Sequence, residues 1–273
     1  MPSSIPRRII QIWGQGAHLM PLFCKAAAAN IKLLNPDFEY LFFDNERIRE
    51  FIDSTFPEYR SVLDSFRFPI QKYDFFRYLA VYHLGGFYFD LDVFLASGVQ
   101  GILDYGCVFP FDELTTNVSF IRDYGMDWEI GNFAFGAHAG HPFLHAIIKN
   151  CLRAVEDPEW VRPMLRSIPR AFHDQYYILN TTGPGLVSRT LAQFPDASSQ
   201  VKVLFPEDVC DPDSWHRFGE LGVHLQIGAW DRKGFFRSRL RSLWLAWTRR
   251  RLLHGNLILG KSRRLEFLQA GAS

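Results

Sequence analysis

Two periods alternate along the first hundred residues. Residues 8–13, with Ile9, Ile10 and Ile12, read as a strand, and residues 40–43 as a second. Between them residues 21–34 read as a helix, with an alanine run at 26–29 of high helix propensity. Asn45–Thr55 and residues 57–65 read as short helices. Across Pro69–Leu84 the apolar positions follow a 3.6-residue period, and Gly85-Gly86 supplies a C-terminal stop. The strand expected next, residues 87–93, carries Asp90 and Asp92 one residue apart. Residues i and i+2 of a strand share a face, so Tyr88, Asp90 and Asp92 are expected to project together while Phe87, Phe89, Leu91 and Val93 enter a core. Farther on, residues 131–137 read as a strand, and Pro142–Glu156 and residues 185–193 as helices.

Strands alternating with helices imply an α/β, Rossmann-like, mostly parallel sheet with helices on both faces. Ligands of such sheets bind beyond the carboxyl ends of the strands. The end of the first strand, Trp13-Gly14-Gln15-Gly16, and the acidic strand would then face one crevice. No internal repeat or separating linker is visible, which suggests one domain over residues 1–231 and a C-terminal helical extension over 232–273.

The composition, 48% hydrophobic and 22% charged over 273 residues, is that of a globular protein. Four dispersed cysteines, Cys24, Cys107, Cys151 and Cys210, form neither a disulfide framework nor a zinc spacing and suit a reducing, cytoplasmic location. No secretory signal is expected ahead of Arg7-Arg8, and no apolar run is long enough to span a bilayer. The net charge of +1 hides an asymmetry. Eleven of the 30 basic residues and one of the 29 acidic ones, Glu266, lie in 232–273, leaving a body with nineteen basic and twenty-eight acidic residues. In the tail, Phe236, Leu240, Leu243, Trp244 and Trp247 fall on one helical face among arginines. Residues 235–253 therefore read as a basic amphipathic helix for an anionic, inner membrane surface, or as a helix packed on the body. The acidic body disfavours nucleic acid as a partner.

Two neighbouring carboxylates repel each other and resist desolvation, and a cation between them removes both costs. Hard divalent ions such as Mg²⁺ or Mn²⁺ prefer carboxylate oxygens and share them with phosphates. Asp90 and Asp92 are thus candidate metal and diphosphate residues. Trp13, ending a strand beside glycine, is a candidate to stack on a nucleotide base. Asp74 and Arg77, three apart, share a face of the helix that precedes the acidic strand.

These motifs together resemble the DxD-containing glycosyltransferases of family 32, which include yeast mannosyltransferases and bacterial capsule-type sugar transferases, and more distantly the glucosylating domains of clostridial toxins. The resemblance is carried by Ile5-Pro6, Ile9-Ile10-Gln11-Ile12-Trp13, Asn35-Pro36-Asp37-Phe38-Glu39, Asp74 with Arg77, and Gly85 through Asp92. It continues through Asn132-Phe133-Ala134-Phe135, His141-Pro142-Phe143, Thr181-Thr182-Gly183-Pro184-Gly185 and His224 with Trp230. One position departs: the family's usual His before Gln-Ile-Trp is Ile10.

The resemblance implies a GT-A-like fold and a metal-dependent, retaining transferase. Such an enzyme moves a hexose from a UDP- or GDP-linked donor to a glycan or lipid-linked acceptor, as in polysaccharide biosynthesis. By resemblance Asp92 is a direct ligand of Mn²⁺ (or Mg²⁺), Asp90 contacts metal or ribose, and His224 completes the shell. An imidazole ligand favours Mn²⁺. Asp74 and Arg77 would hold the donor sugar, a carboxylate accepting from hydroxyls and a guanidinium donating to oxygens. Tyr88, Gln11, Asn132 and Trp230 complete the implied donor site, with the Thr182-Gly183-Pro184 turn as a further sugar or acceptor contact. Two alternatives share these residues: a toxin-like transferase modifying protein hydroxyls, and a non-catalytic nucleotide-sugar or glycan-binding protein.

Overall fold

A computed structural model describes residues 4–227, 243–248, 264 and 266–268. Its strands are β1 (Arg8–Ile12), β2 (Glu39–Phe43), β3 (Gly86–Phe89), β4 (Val93–Leu95), β5 (Cys107–Leu114), β6 (Trp128–Ile130), β7 (Ala134–Ala137), β8 (Lys202–Leu204) and β9 (Gly222–His224). Its helices are α1 (Leu22–Leu34), α2 (Asn45–Thr55), α3 (Arg60–Ser65), α4 (Pro69–Leu84), α5 (Val118–Tyr124), α6 (Pro142–Glu156), α7 (Pro158–Leu165), α8 (His173–Thr181), α9 (Pro184–Gln193) and α10 (Ala197–Gln200).

The main sheet runs β2-β1-β3-β7-β5-β6, with β8 also beside β5. The expected α/β architecture is present. β1 pairs in parallel with β2 and β3, and β5 with β8, while β7 and β6 add antiparallel pairs. Parallel strands buried on both faces carry apolar side chains throughout, as Ile9, Ile10 and Ile12 do here. Ile10 and Tyr88 enter the larger core beneath α4 and α6, and Ile9, Phe87 and Phe89 enter a second core. Ile10, the departure from the family pattern, is fully buried in packing.

α4 starts at Pro69, its missing N–H falling where no helical partner exists. The Gln71 side chain accepts from the Phe68 N–H at 2.9 Å, closing the first turn. Gly85, at φ 66°, ends the helix. Gly86, at φ 110°, follows, and a Cβ there would lie 2.7 Å from the Arg8 carbonyl oxygen. The glycine pair thus turns the chain from α4 into β3 against β1.

β3 is shorter than the sequence suggests. It ends at Phe89, and Asp90, Leu91 and Asp92 form a turn closed by Val93 N–H on the Asp90 carbonyl at 3.2 Å. Leu91 leaves the expected row and packs with Met20, Cys24 and Ala28. Asp side chains favour turns because they compete for local backbone groups.

Two described pieces of the C-terminal segment touch the body. Trp244 packs on Phe172 and Tyr176, and Phe267 on Trp128. Leu243 and Trp247 are exposed. The rest of the expected amphipathic helix lies outside the described residues. Among the described residues no helix is long and apolar enough to cross a membrane.

Candidate active site

The site is assembled at the carboxyl end of β3 from α4, the 90–92 turn, the entry to β7 and the end of β9. Asp74 and Arg77 are both buried, although charged residues seldom are without partners. Arg77 is a shared cation. Its Nη2 lies 2.9 Å from Asp74 Oδ1, and its Nη1 lies 3.3 Å from Asp90 Oδ1 and donates to the Asn132 carbonyl at 2.8 Å. Its guanidinium stands 4.5 Å from the centre of the Tyr88 ring. The Tyr88 hydroxyl donates to Asp90 Oδ1. Arg77 Nε is buried without a protein partner.

Asp92 is held from a different element. β9 pairs antiparallel with β4, and the Val93–His224 register sets His224 beside Asp92. His224 Nε2 is 3.2 Å from Asp92 Oδ1, the Ile227 N–H donates to Oδ2 at 3.0 Å, and the imidazole stacks on Phe133 at 4.5 Å. Ligand-type atoms of Asp90, Asp92 and His224 all lie within 4.8 Å of one another. The two carboxylates converge through a turn and a neighbouring strand, not through the i, i+2 spacing of a strand.

Charge makes this site selective. Burial raises Asp90 above the usual carboxylate range, with Arg77 opposing. Burial also raises Asp74, to about 6, against the pull of Arg77 and the Thr182 hydroxyl. At Arg77 burial works against the cation, but Asp90, Tyr88 and Asp74 outweigh it and hold it protonated. Burial works against the Asp92 anion as well, yet the hydrogen bond and charge of His224 hold Asp92 below its ordinary value. With all three carboxylates ionised and His224 neutral, Arg77 leaves two negative charges, which a divalent cation at the Asp90–Asp92–His224 oxygens and nitrogen would balance. Two carboxylates and an imidazole form a donor set that suits Mn²⁺.

The remaining expected residues fall as follows. Trp13 is half-buried against Met20, Cys24 and Leu91, and its Nε1 has no protein partner. Gln11 is fully buried, and its amide links Tyr40, which donates to Oε1 at 2.8 Å, with the Phe89 carbonyl, which Nε2 reaches at 3.3 Å. Tyr88 is buried between Arg77 and Asp90 instead of lining an open pocket. Asn132 directs its amide to Tyr78 and Asp74. Thr182 is fully buried and donates to Asp74 Oδ2 at 2.9 Å. Trp230 lies outside the described residues. Sequence reasoning missed Tyr78, although its place four residues after Asp74 puts it on the same helical face.

It also missed a second titratable cluster. His216 Nδ1 is 2.7 Å from Asp112 Oδ1, and Nε2 is 3.7 Å from Glu113 Oε2. Glu113 lies directly opposite Glu129 across the β5–β6 pair, where like charges destabilise a sheet. Burial, then Glu113, pushes Glu129 up to about 8, while the Thr115 hydroxyl donates to it. As pH rises above the unfolded-state value the unfolded chain ionises this glutamate and the folded chain does not. The folded state therefore loses stability between the ordinary glutamate value of 4.5 and about 8. Glu129→Gln removes that loss. Its melting temperature is expected to gain on the parent's by roughly 3 °C or more between pH 5 and pH 8. A gap independent of pH would show that Glu129 titrates normally.

Comparison with known proteins gives a match over part of the chain. Residues 24–109 match the model of the glycosyltransferase sugar-binding region containing the DXD motif, a span that includes Asp74, Arg77, Asp90 and Asp92 but not Asn132, Thr182 or His224. Over that span the chain is similar to the sugar-binding region of DXD-containing glycosyltransferases. It is 26% identical over 230 residues to inositol phosphoceramide mannosyltransferase 3 of Schizosaccharomyces pombe, covering 78% of this chain and 56% of that one. It is 32% identical over 147 residues to an uncharacterized glycosyltransferase of Acanthamoeba polyphaga mimivirus, covering 54% and 55%. The chain spans about half the length of these curated relatives. Among solved structures, the PaToxG glycosyltransferase aligns with a TM-score of 0.46 at 16% identity over 70% of each chain.

Proposed function

We propose that this chain is a metal-dependent, retaining hexosyltransferase that moves a sugar from a nucleoside-diphosphate donor to a hydroxyl of a glycan or lipid-linked acceptor. The observation that carries this reading is the convergence of Asp90, Asp92 and His224 beside the buried Asp74–Arg77 pair. A divalent cation held there would offset the diphosphate charge and stabilise it as the leaving group. The chain's own groups supply the rest. Trp13, only half-buried, offers a ring face to the nucleotide. Arg77 and Asp74 would hold the sugar, the guanidinium donating to its oxygens and the carboxylate accepting from its hydroxyls, which fixes the anomeric carbon against the acceptor.

Retention enters through the family resemblance. Asp74 and Asp90 are both committed to Arg77, so neither is a ready nucleophile, and a retaining transfer here would use the departing phosphate oxygen as the base for the acceptor proton. The names of the yeast relatives make mannose the first sugar to try and a phosphoinositol-bearing ceramide the first acceptor.

A cytoplasmic position against an anionic leaflet through residues 235–253 belongs to the same proposal, supported by the exposed Leu243 and Trp247. Undiminished sedimentation of a Leu243→Ser, Trp247→Ser variant with anionic liposomes would reject it.

The donor reading is tested by thermal shift with UDP-, GDP- and TDP-sugars, each with and without Mn²⁺. One nucleotide sugar is expected to raise the melting temperature only with the ion, because a ligand of the folded state alone stabilises it. No shift with any combination would contradict the reading.

A further inference from the structure

The turn joining α8 to α9 is clasped by one face of α4. Gln71 Nε2 donates to Thr181 Oγ1 at 2.7 Å, Thr182 Oγ1 donates to Asp74 Oδ2 at 2.9 Å, and the Tyr78 hydroxyl donates to the Thr182 carbonyl at 2.7 Å. Gln71, Asp74 and Tyr78 follow one another at spacings of three and four, which align them along the helix. A third segment closes the group. Asn132 Nδ2 donates to the Tyr78 hydroxyl at 2.8 Å and lies 3.4 Å from Asp74 Oδ1. Gly183 lets the chain turn tightly off the end of α8, since a Cβ there would come within 2.9 Å of Leu179 Cα.

Tyr78 and Thr182 are both fully buried, so neither side chain reaches a ligand. What they fix is the direction of groups that do. Thr182 holds one Asp74 oxygen while Arg77 holds the other. The Tyr78 hydroxyl accepts from the Asn132 amide nitrogen and spends its proton on the Thr182 carbonyl, which settles the orientation of the Asn132 side chain. A buried network with every member satisfied specifies one geometry, and loss of one member leaves the others unpaired.

We propose that Tyr78 and Thr182 are positioning residues of the transfer reaction, setting Asp74 and Asn132 in the orientation that receives the donor sugar. The proposal rests on the reading that this pocket takes the sugar of a nucleotide donor. It reassigns the Thr-Gly-Pro turn from ligand contact to support. The hydrogen bonds that tie the three segments span 54 to 110 positions in sequence, which is why no local pattern shows the network.

The test uses the full chain with Mn²⁺ and two probes, GDP-mannose and UDP-glucose, following release of the nucleotide. Thr182→Val and Tyr78→Phe keep shape and remove one hydroxyl each. For the donor that the parent turns over, each is expected to raise KM and lower kcat roughly tenfold. Affinity for the free nucleoside diphosphate with Mn²⁺ is expected to stay within about twofold, because no removed group faces it. Thr182→Ser, which keeps the hydroxyl, is expected to restore both constants. A purely packing role would lower the melting temperature and leave the constants of the folded fraction alone. Should Tyr78→Phe fail to fold, the Val and Ser variants at position 182 decide the matter. Turnover by the parent with unaltered constants in Thr182→Val overturns this proposal only. A parent chain that turns over and binds neither probe overturns the donor reading and this proposal together.

Discussion

Asp92→Asn is expected to abolish sugar transfer, by about three orders of magnitude in kcat/KM, while the protein stays folded. The substitution keeps size and shape. It removes the charge that His224 faces at 3.2 Å and one of the two carboxylates of the candidate cation site. Asp92 sits in a turn with an 18% exposed side chain, so its loss is expected to cost folding only ~1 kcal/mol. Transfer assays and thermal melts on one preparation check both halves. Turnover equal to the parent's in a folded Asp92→Asn variant would remove Asp92 from the chemistry.

Arg77→Met is expected to have the largest effect on stability, ~3–5 kcal/mol, because it strands two carboxylates in the interior. Asp74 and Arg77 are about 5% exposed, and Asp90 shares the same guanidinium. That loss is a large part of the stability of an ordinary domain, so partial unfolding at 37 °C is part of the expectation. Urea denaturation measures it. Asp74→Asn placed on top of Arg77→Met is expected to recover part of the loss, since it removes one unpaired charge, and the double-mutant cycle gives the coupling. An Arg77→Met variant within about 1 kcal/mol of the parent would mean that water or another cation already serves those carboxylates.

The contrast between these two residues follows from their surroundings. Asp92 is held by a histidine and a backbone N–H at the edge of the site. Arg77 is held by two carboxylates, a carbonyl and an aromatic face inside it. One is close to solvent and available to a ligand. The other is part of the buried framework.

Much of the first hundred residues was legible because their signals are local. The isoleucines of β1, the period of α4 and the Gly85-Gly86 stop each determine structure within a few residues. Asp74, Arg77, Asp90 and Asp92 were legible for the same reason, being spaced along one helix and the chain that follows it. The sequence was misleading where a turn replaced a strand. The aromatic alternation through Phe89 continues by chance into Leu91 and Val93, but Leu91 packs on α1.

Contacts between distant segments were not legible. Nothing near Thr182 announces Asp74, and nothing near His216 announces Asp112, 104 positions away. Gln11 was named through the family resemblance alone, and the partners of its amide, the Phe89 carbonyl and Tyr40, come from neighbouring strands. In the second half, β5, β6, β8 and β9 and the helices α5, α7 and α8 are short or weakly periodic, and their places are set by packing. His224 belongs to that half. Family resemblance suggested it, and the β4–β9 pairing is the physical reason it meets Asp92.

The central claim is that Asp90, Asp92 and His224 jointly hold a divalent cation against a nucleoside diphosphate. Pulsed electron paramagnetic resonance of the chain with Mn²⁺ and GDP or UDP addresses it without needing the acceptor. The account predicts nitrogen coupling from an imidazole that vanishes in His224→Ala, and phosphorus coupling from the diphosphate that vanishes in Asp92→Asn. Manganese that binds with neither coupling, or with couplings unchanged in both variants, would contradict it.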